Sequence, residues 1–155
     1  MKSRTKARYV ALQVLYECDM TGHSAVEAME ERLVAEELDD SLADFSRQIV
    51  RGVLPISEKL DGFIAEHAPE WPMDQVAVVD RNIIRIALWE FAVENCTPVK
   101  VAINEAIELA KMFGSDSTPR FVNGLLGSLA NRQQEILHKL HSTLKDDLKG
   151  SQQEG

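Results

Sequence analysis

The chain has 155 residues, 45% of them hydrophobic, and a formal net charge of −8. A single domain of this length buries about 70% of the surface its unfolded chain exposes. No apolar run approaches the roughly 20 residues a bilayer span requires, and the basic N-terminus lacks the apolar stretch of a signal peptide, so a cytoplasmic protein without membrane attachment is expected.

The negative charge opposes non-specific attraction to nucleic acid, so any such site has to be local. Charge is uneven along the chain: Lys2, Arg4, Lys6 and Arg8 precede every acid, whereas residues 27–44 are strongly acidic. The first helix is expected from about Arg4 to Met20, because Ala7, Val10, Ala11, Val14, Leu15 and Cys18 share one face. If that helix extends back to Lys2, then Lys2, Lys6, Tyr9, Gln13 and Tyr16 form an opposite stripe ~80° wide at about 100° per residue. Ammonium groups pair with phosphates and tyrosine rings offer platforms for unpaired bases, a combination suited to single-stranded RNA. A solvated face whose tyrosines cover neighbouring helices is the alternative.

Gly22 ends this helix, and Ser24 with Glu27 has the capping-box pattern for a second one whose buried side is Val26, Met29 and Leu33. A third segment begins near Asp40 or Ser41 with Leu42, Phe45, Ile49 and Val53 inward. Pro55 then either kinks it or starts a new helix carrying Ile56, Leu60, Phe63 and Ile64. The breaker Ala68-Pro69-Glu70-Trp71-Pro72 divides an N-terminal from a C-terminal helical half. Asp80 is the expected N-cap of a helix over residues 81–94, with Ile83, Ile84, Ala87, Leu88 and Phe91 apolar.

Next comes a helical hairpin. Thr97 is the expected N-cap with Pro98 at the first helical position, Val99, Ile103, Ala106, Ala110 and Phe113 recur at helical spacing, and Gly114 is expected at positive φ. After a polar loop and a second Thr-Pro pair, Val122, Leu125, Leu126 and Leu129 stripe the partner helix. Ile136, Leu137, Leu140 and Leu144 extend helical spacing to about Asp147, and this tail has three open uses: packing back, meeting a second copy as a homodimer, or protruding. Strand-like alternation is absent, so the fold class is all-α.

Catalytic chemistry is not evident. No phosphate-cradling glycine loop, HExxH pair or GxSxG elbow occurs. His138 and His141 lack a third metal ligand and read as solvated, and Glu105 and Glu108 read as surface charges with Lys111 in reach. Cys18 and Cys96 belong to no metal-type pair and read as small, reduced core residues. Asp80, Arg81, Arg85 and Glu90 form a charged set on one helix, either an internal ion-pair network or a partner-docking surface. No enzymatic activity, metal or cofactor is expected.

The blocks ALQVLY, DRNIIRIALWEF, VAINEAIELAKMFG and RFVNGLLG, in this order over roughly residues 4 to 131, resemble the NusB family of transcription antitermination proteins. The resemblance implies two packed three-helix bundles within residues 1–131, the halves being about 1–68 and 71–131, followed by a helical extension and polar tail over 132–155. It implies a non-catalytic factor that binds boxA RNA together with NusE, also a small-subunit ribosomal protein, and helps load an antitermination complex onto RNA polymerase, mainly in ribosomal RNA transcription. By matching position, Lys2, Arg4, Lys6, Arg8 and Tyr16 resemble the family's N-terminal RNA-binding motif, and Ser117, Arg120 and Phe121 its second RNA-contacting region. Asp80 to Arg85 resembles the NusE side. The basic motif here is sparse, interrupted by Ser3, Thr5 and Ala7, so weak direct affinity tightened by NusE is expected. Two other readings compete: a protein-docking module without RNA binding, and the accessory domain of RNA cytosine methyltransferases, for whose catalytic domain 155 residues leave no room.

Overall fold

The computed structural model describes residues 2–67, 69–70 and 72–142, and every regular element among them is helical. Eight helices follow in order: α1 (Ser3–Thr21), α2 (Ala25–Glu36), α3 (Asp40–Val53), α4 (Ser57–His67), α5 (Val78–Leu88), α6 (Val99–Phe113), α7 (Thr118–Ala130) and α8, described over 133–142. None is long and apolar enough to cross a membrane among the described residues. Ala68 and Trp71 of the expected breaker, and Leu144 with the end of the expected last helix, lie outside the described residues.

α1 is central because it is apolar on more than one side. Ala7, Val10, Ala11, Leu12, Val14 and Leu15 are all buried, so the helix packs against α2, α3, α5 and α6. It stops where expected: Gly22 takes the left-handed conformation at φ 72°, and its N–H closes on the Cys18 carbonyl. The Ser46 hydroxyl donates to the buried Ala7 carbonyl at 2.8 Å, pinning α3 to α1. Gly52 lets the two halves approach, since a Cβ there would fall 2.3 Å from the Trp89 indole nitrogen.

Helix ends depart from expectation in several places. α3 does begin at Asp40 as expected, capped by Asp39, whose carboxylate accepts the Leu42 N–H at 3.0 Å. Ser24 stands at the N-cap of α2 but makes no side-chain cap bond. At Pro55 α3 gives way to one 3-10 turn, Leu54–Ile56, that carries the chain into α4, and the Ser57 hydroxyl donates to the Val53 carbonyl. α5 begins at Val78, which places Asp80 in the first turn rather than at the cap. Thr97 and Pro98 each stand one place outside the positions expected of them, because Pro98 is the cap of α6. Gly114 has φ −88°, so positive φ is not why glycine is there; a Cβ would lie 2.5 Å from the Thr118 side chain. Val26, expected inward, is 73% exposed, because α2 meets its neighbours through Ala28, Met29 and Leu33.

The helix begun by α5 does not run on as α. Residues Trp89–Val93 form a π turn in which the Glu94 N–H bonds the Trp89 carbonyl. Trp89, Glu90, Phe91 and Ala92 are consecutively buried, which a half-solvated α-helix would not allow. α8 then packs back onto this turn with Ile136 and Leu140 buried. Gln133 Nε2 donates to the Phe91 carbonyl at 3.3 Å, and His141 Nε2 lies 2.8 Å from the Val93 carbonyl. These are carbonyls at a helix end, where intrahelical partners run out.

Candidate nucleic-acid interface

The basic first turn of α1 divides between two directions, because residues two apart on a helix point to nearly opposite sides. Lys2 and Lys6 follow the tyrosine stripe, whereas Arg4 and Arg8 turn toward α3 and the π turn. The Arg4 guanidinium lies over the Phe45 ring at 4.0 Å and is otherwise exposed. Arg8 is only 2% exposed, so its assignment to RNA is corrected. Its Nε lies 3.1 and 3.0 Å from the two Glu90 carboxylate oxygens, its Nη2 2.8 Å from one of them, and its Nη1 3.5 Å from Glu105. A guanidinium held in a buried fork and 2% exposed does not reach a phosphate in solvent.

The partner-binding set is likewise redistributed. Glu90, 1% exposed, also accepts the Thr97 hydroxyl at 2.9 Å, and Arg85 is buried between Asp61 and Asp19, with Asn82 beside it. Neither is free to dock a partner: Arg85 and Glu90 are internal and belong to two separate networks. Asp80 accepts the Thr118 hydroxyl at 3.1 Å, fastening α5 to the start of α7; burial raises its pKa above the ordinary carboxylate value, and the Thr118 bond partly offsets this. Arg81 is half-buried, with its Nε unpartnered among the described residues.

The aromatic stripe does meet the hairpin, through a residue expected in the core. Phe113, the last residue of α6, is 37% exposed and stacks on Tyr9 with ring centroids 4.5 Å apart and planes 2° from parallel. Gln13 Nε2 donates to the Tyr9 hydroxyl at 2.6 Å, and Tyr16, one turn on, is 39% exposed. Lys2 is exposed, and Lys6 is half-exposed with Glu36 of α2 3.7 Å away. Lys2 also faces α6 across an open groove that Lys111 and Met112 line, with Glu105 and Glu108 on its floor and rim.

Immediately after Phe113 comes the loop to α7. Ser117 and Arg120 are exposed there, while Phe121 is half-buried against the core. The Thr118 hydroxyl, which receives the Ser115 N–H at 2.9 Å, fixes this loop to Asp80. The structure thus brings Tyr9, Gln13, Tyr16 and Phe113 together, with Lys2 and Lys6 on the same side of α1 and Ser117 following Phe113 in the loop to α7. It sets Arg4 aside and removes Arg8.

Sequence reasoning missed Phe113 because its spacing fits the apolar stripe of α6, and it missed Arg32 because that residue sits in an acidic helix. Arg32 nevertheless lies beside Tyr16 and Gln13. Cys96 is corrected too: it is exposed in the turn before α6, and Cys18 is half-buried, its thiol pKa raised by burial first and then by Glu17 and Asp19. Among the described residues no group of three or more metal-type side chains converges.

The chain matches the model of the NusB family over residues 5–131. It is 45% identical over 134 residues to the transcription antitermination protein NusB of Roseiflexus sp., covering 85% of this chain and 94% of that one. To the protein of the same name from Bacillus subtilis it is 44% identical over 129 residues, covering 83% and 95%. Among solved structures it is similar to NusB of T. maritima, with TM-score 0.76 and 30% identity over 84% of this chain and 92% of that one. It shares its fold with a chain from the crystal structure of antitermination factors NusB and NusE in complex with dsRNA, with TM-score 0.74 and 23% identity over 83% and 96%.

Proposed function

The chain belongs to the NusB family, a family of non-catalytic transcription antitermination factors, and on that premise we propose that it binds boxA RNA together with NusE and acts mainly in ribosomal RNA transcription. The single observation that carries the RNA reading is the Tyr9–Phe113 stack, which joins the α1 stripe of Lys2, Lys6 and exposed Tyr16 to the end of α6, from which the chain runs on to Ser117 and Arg120. Aromatic faces accept unpaired bases of any sequence, and the flanking cations take the phosphates between them.

The patch is small and the molecule around it is acidic, so the isolated protein binds weakly and NusE tightens the complex by extending the cationic surface. The antitermination complex on RNA polymerase is then the destination of the pair. Titration of boxA RNA with and without NusE tests this: NusE raises affinity, and the triple exchange of Lys2, Lys6 and Tyr16 for alanine removes RNA binding while the helical fold stays intact. Equal affinity with and without NusE contradicts the division of labour. Unchanged RNA binding by the triple variant, with NusE binding lost, would favour a protein-docking module instead.

A further inference from the structure

Between α1, α2, the start of α5 and the end of α6 lies a cavity of about 290 Å³ lined by Leu12, Gln13, Tyr16, Arg32, Val79 and Phe113. Its size suits one small planar group, at the lower end of ligand-sized cavities. Leu12 and Val79 supply apolar contact, and the two most exposed aromatic rings of the described structure, Tyr16 and Phe113, stand at its wall. One face of Phe113 is already covered by Tyr9, so the ring is held rigid for a second stacking partner.

Two polar groups converge on the same cavity. Gln13 uses one end of its amide on the Tyr9 hydroxyl, and its Oε1 is buried with no partner. An orphaned amide oxygen costs free energy unless something completes it, and a hydroxyl that both donates and accepts leaves one end of the amide unpaired in either orientation. Arg32, from α2, stands at the same wall; its one partner among the described residues is Glu17, 3.6 Å from Nη2, with both side chains partly exposed. That pair is loose enough to be exchanged for a phosphate.

Resting on the RNA-binding reading above, we propose that this cavity takes one unpaired base of the bound RNA, stacked on Tyr16 and Phe113, with the Gln13 amide reading its edge and Arg32 holding the adjacent phosphate. The RNA surface therefore turns from α1 onto α2, an otherwise acidic helix, and sequence preference at one nucleotide originates here.

The test is a titration of the full chain, with NusE present, against a boxA oligonucleotide series in which each nucleotide in turn is made abasic or exchanged for the other bases. The expected result is one position where base removal weakens binding roughly ten-fold. Gln13→Leu abolishes the base preference at that position alone, and Gln13→Glu, whose carboxylate can only accept from the Tyr9 hydroxyl, alters the preference, with helical content by circular dichroism as the check that the fold is kept. Arg32→Ala lowers the salt slope by about one and leaves the preference in place. RNA binding that tolerates an abasic site at every position, or Gln13 variants that retain the wild-type preference, overturns the inference and leaves the function standing. Loss of NusE binding by Arg32→Ala or Gln13→Leu in the absence of RNA also overturns it, assigning the cavity to protein contact. Failure of the wild type to bind RNA with or without NusE overturns both.

Discussion

Arg8 and Glu90 show how residue type misleads without burial. A buried pair of this kind is destabilised severely when one partner is removed, because the other charge is left in a low-dielectric site. Arg8→Ala is expected to cost about 3–5 kcal/mol, measured as a lower urea midpoint, whereas the volume-matched apolar pair Arg8→Met with Glu90→Leu recovers most of the loss. Any RNA defect of Arg8→Ala is then a consequence of lost structure. Asp80 makes a different prediction. Its folded pKa is raised by burial, so between the unfolded and folded values the native state holds more protons, and stability falls as pH rises through that window. Asp80→Asn keeps an acceptor for Thr118 and is expected to flatten this fall, checked by urea midpoints from the carboxylate range up to neutral pH.

At the scale of the element, the caps of α2 and α3 look alike in sequence but differ in the structure. Asp39 accepts the Leu42 N–H, while Ser24 makes no side-chain cap bond. Asp39→Ala is therefore expected to cost about 1 kcal/mol and Ser24→Ala a small fraction of that, read from thermal or urea unfolding of the two variants side by side. The π turn after α5 is the other telling element. It carries Glu90 inward to Arg8 and Thr97, and its last carbonyls face α8.

For the whole molecule, α8 lies beyond the stretch the family model matches, yet it contributes Ile136 and Leu140 to the core. Fully burying two such side chains contributes about 1.5–3 kcal/mol each. A chain ending at Asn131 is therefore expected to lose at least about 3 kcal/mol of stability, with a lower urea midpoint as the check. Because α8 packs on the π turn, its removal is also expected to loosen the support of Glu90 and, through Arg8, the seating of α1, whose outer stripe carries the proposed interface. Electrostatics act on the same scale: a net charge of −8 around a few exposed cations makes RNA affinity steeply sensitive to local substitutions.

The all-helical class, the order of helices and most of the core were legible in the chain itself, because apolar residues at helical spacing and stop signals such as Gly22 act locally. The Lys2-to-Tyr16 stripe was legible for the same reason: helical geometry alone puts those side chains on one side. Only tertiary packing decided which charges reach solvent. Arg8, Arg85 and Glu90 carry no local mark of their burial, and their partners lie on other helices, Glu90 being 82 residues from Arg8. Phe113 and Arg32 join the interface for the converse reason: nothing beside them in the chain says that Tyr9 and Tyr16 will be their neighbours, and a contact between distant segments exists only once the core has brought their helices together.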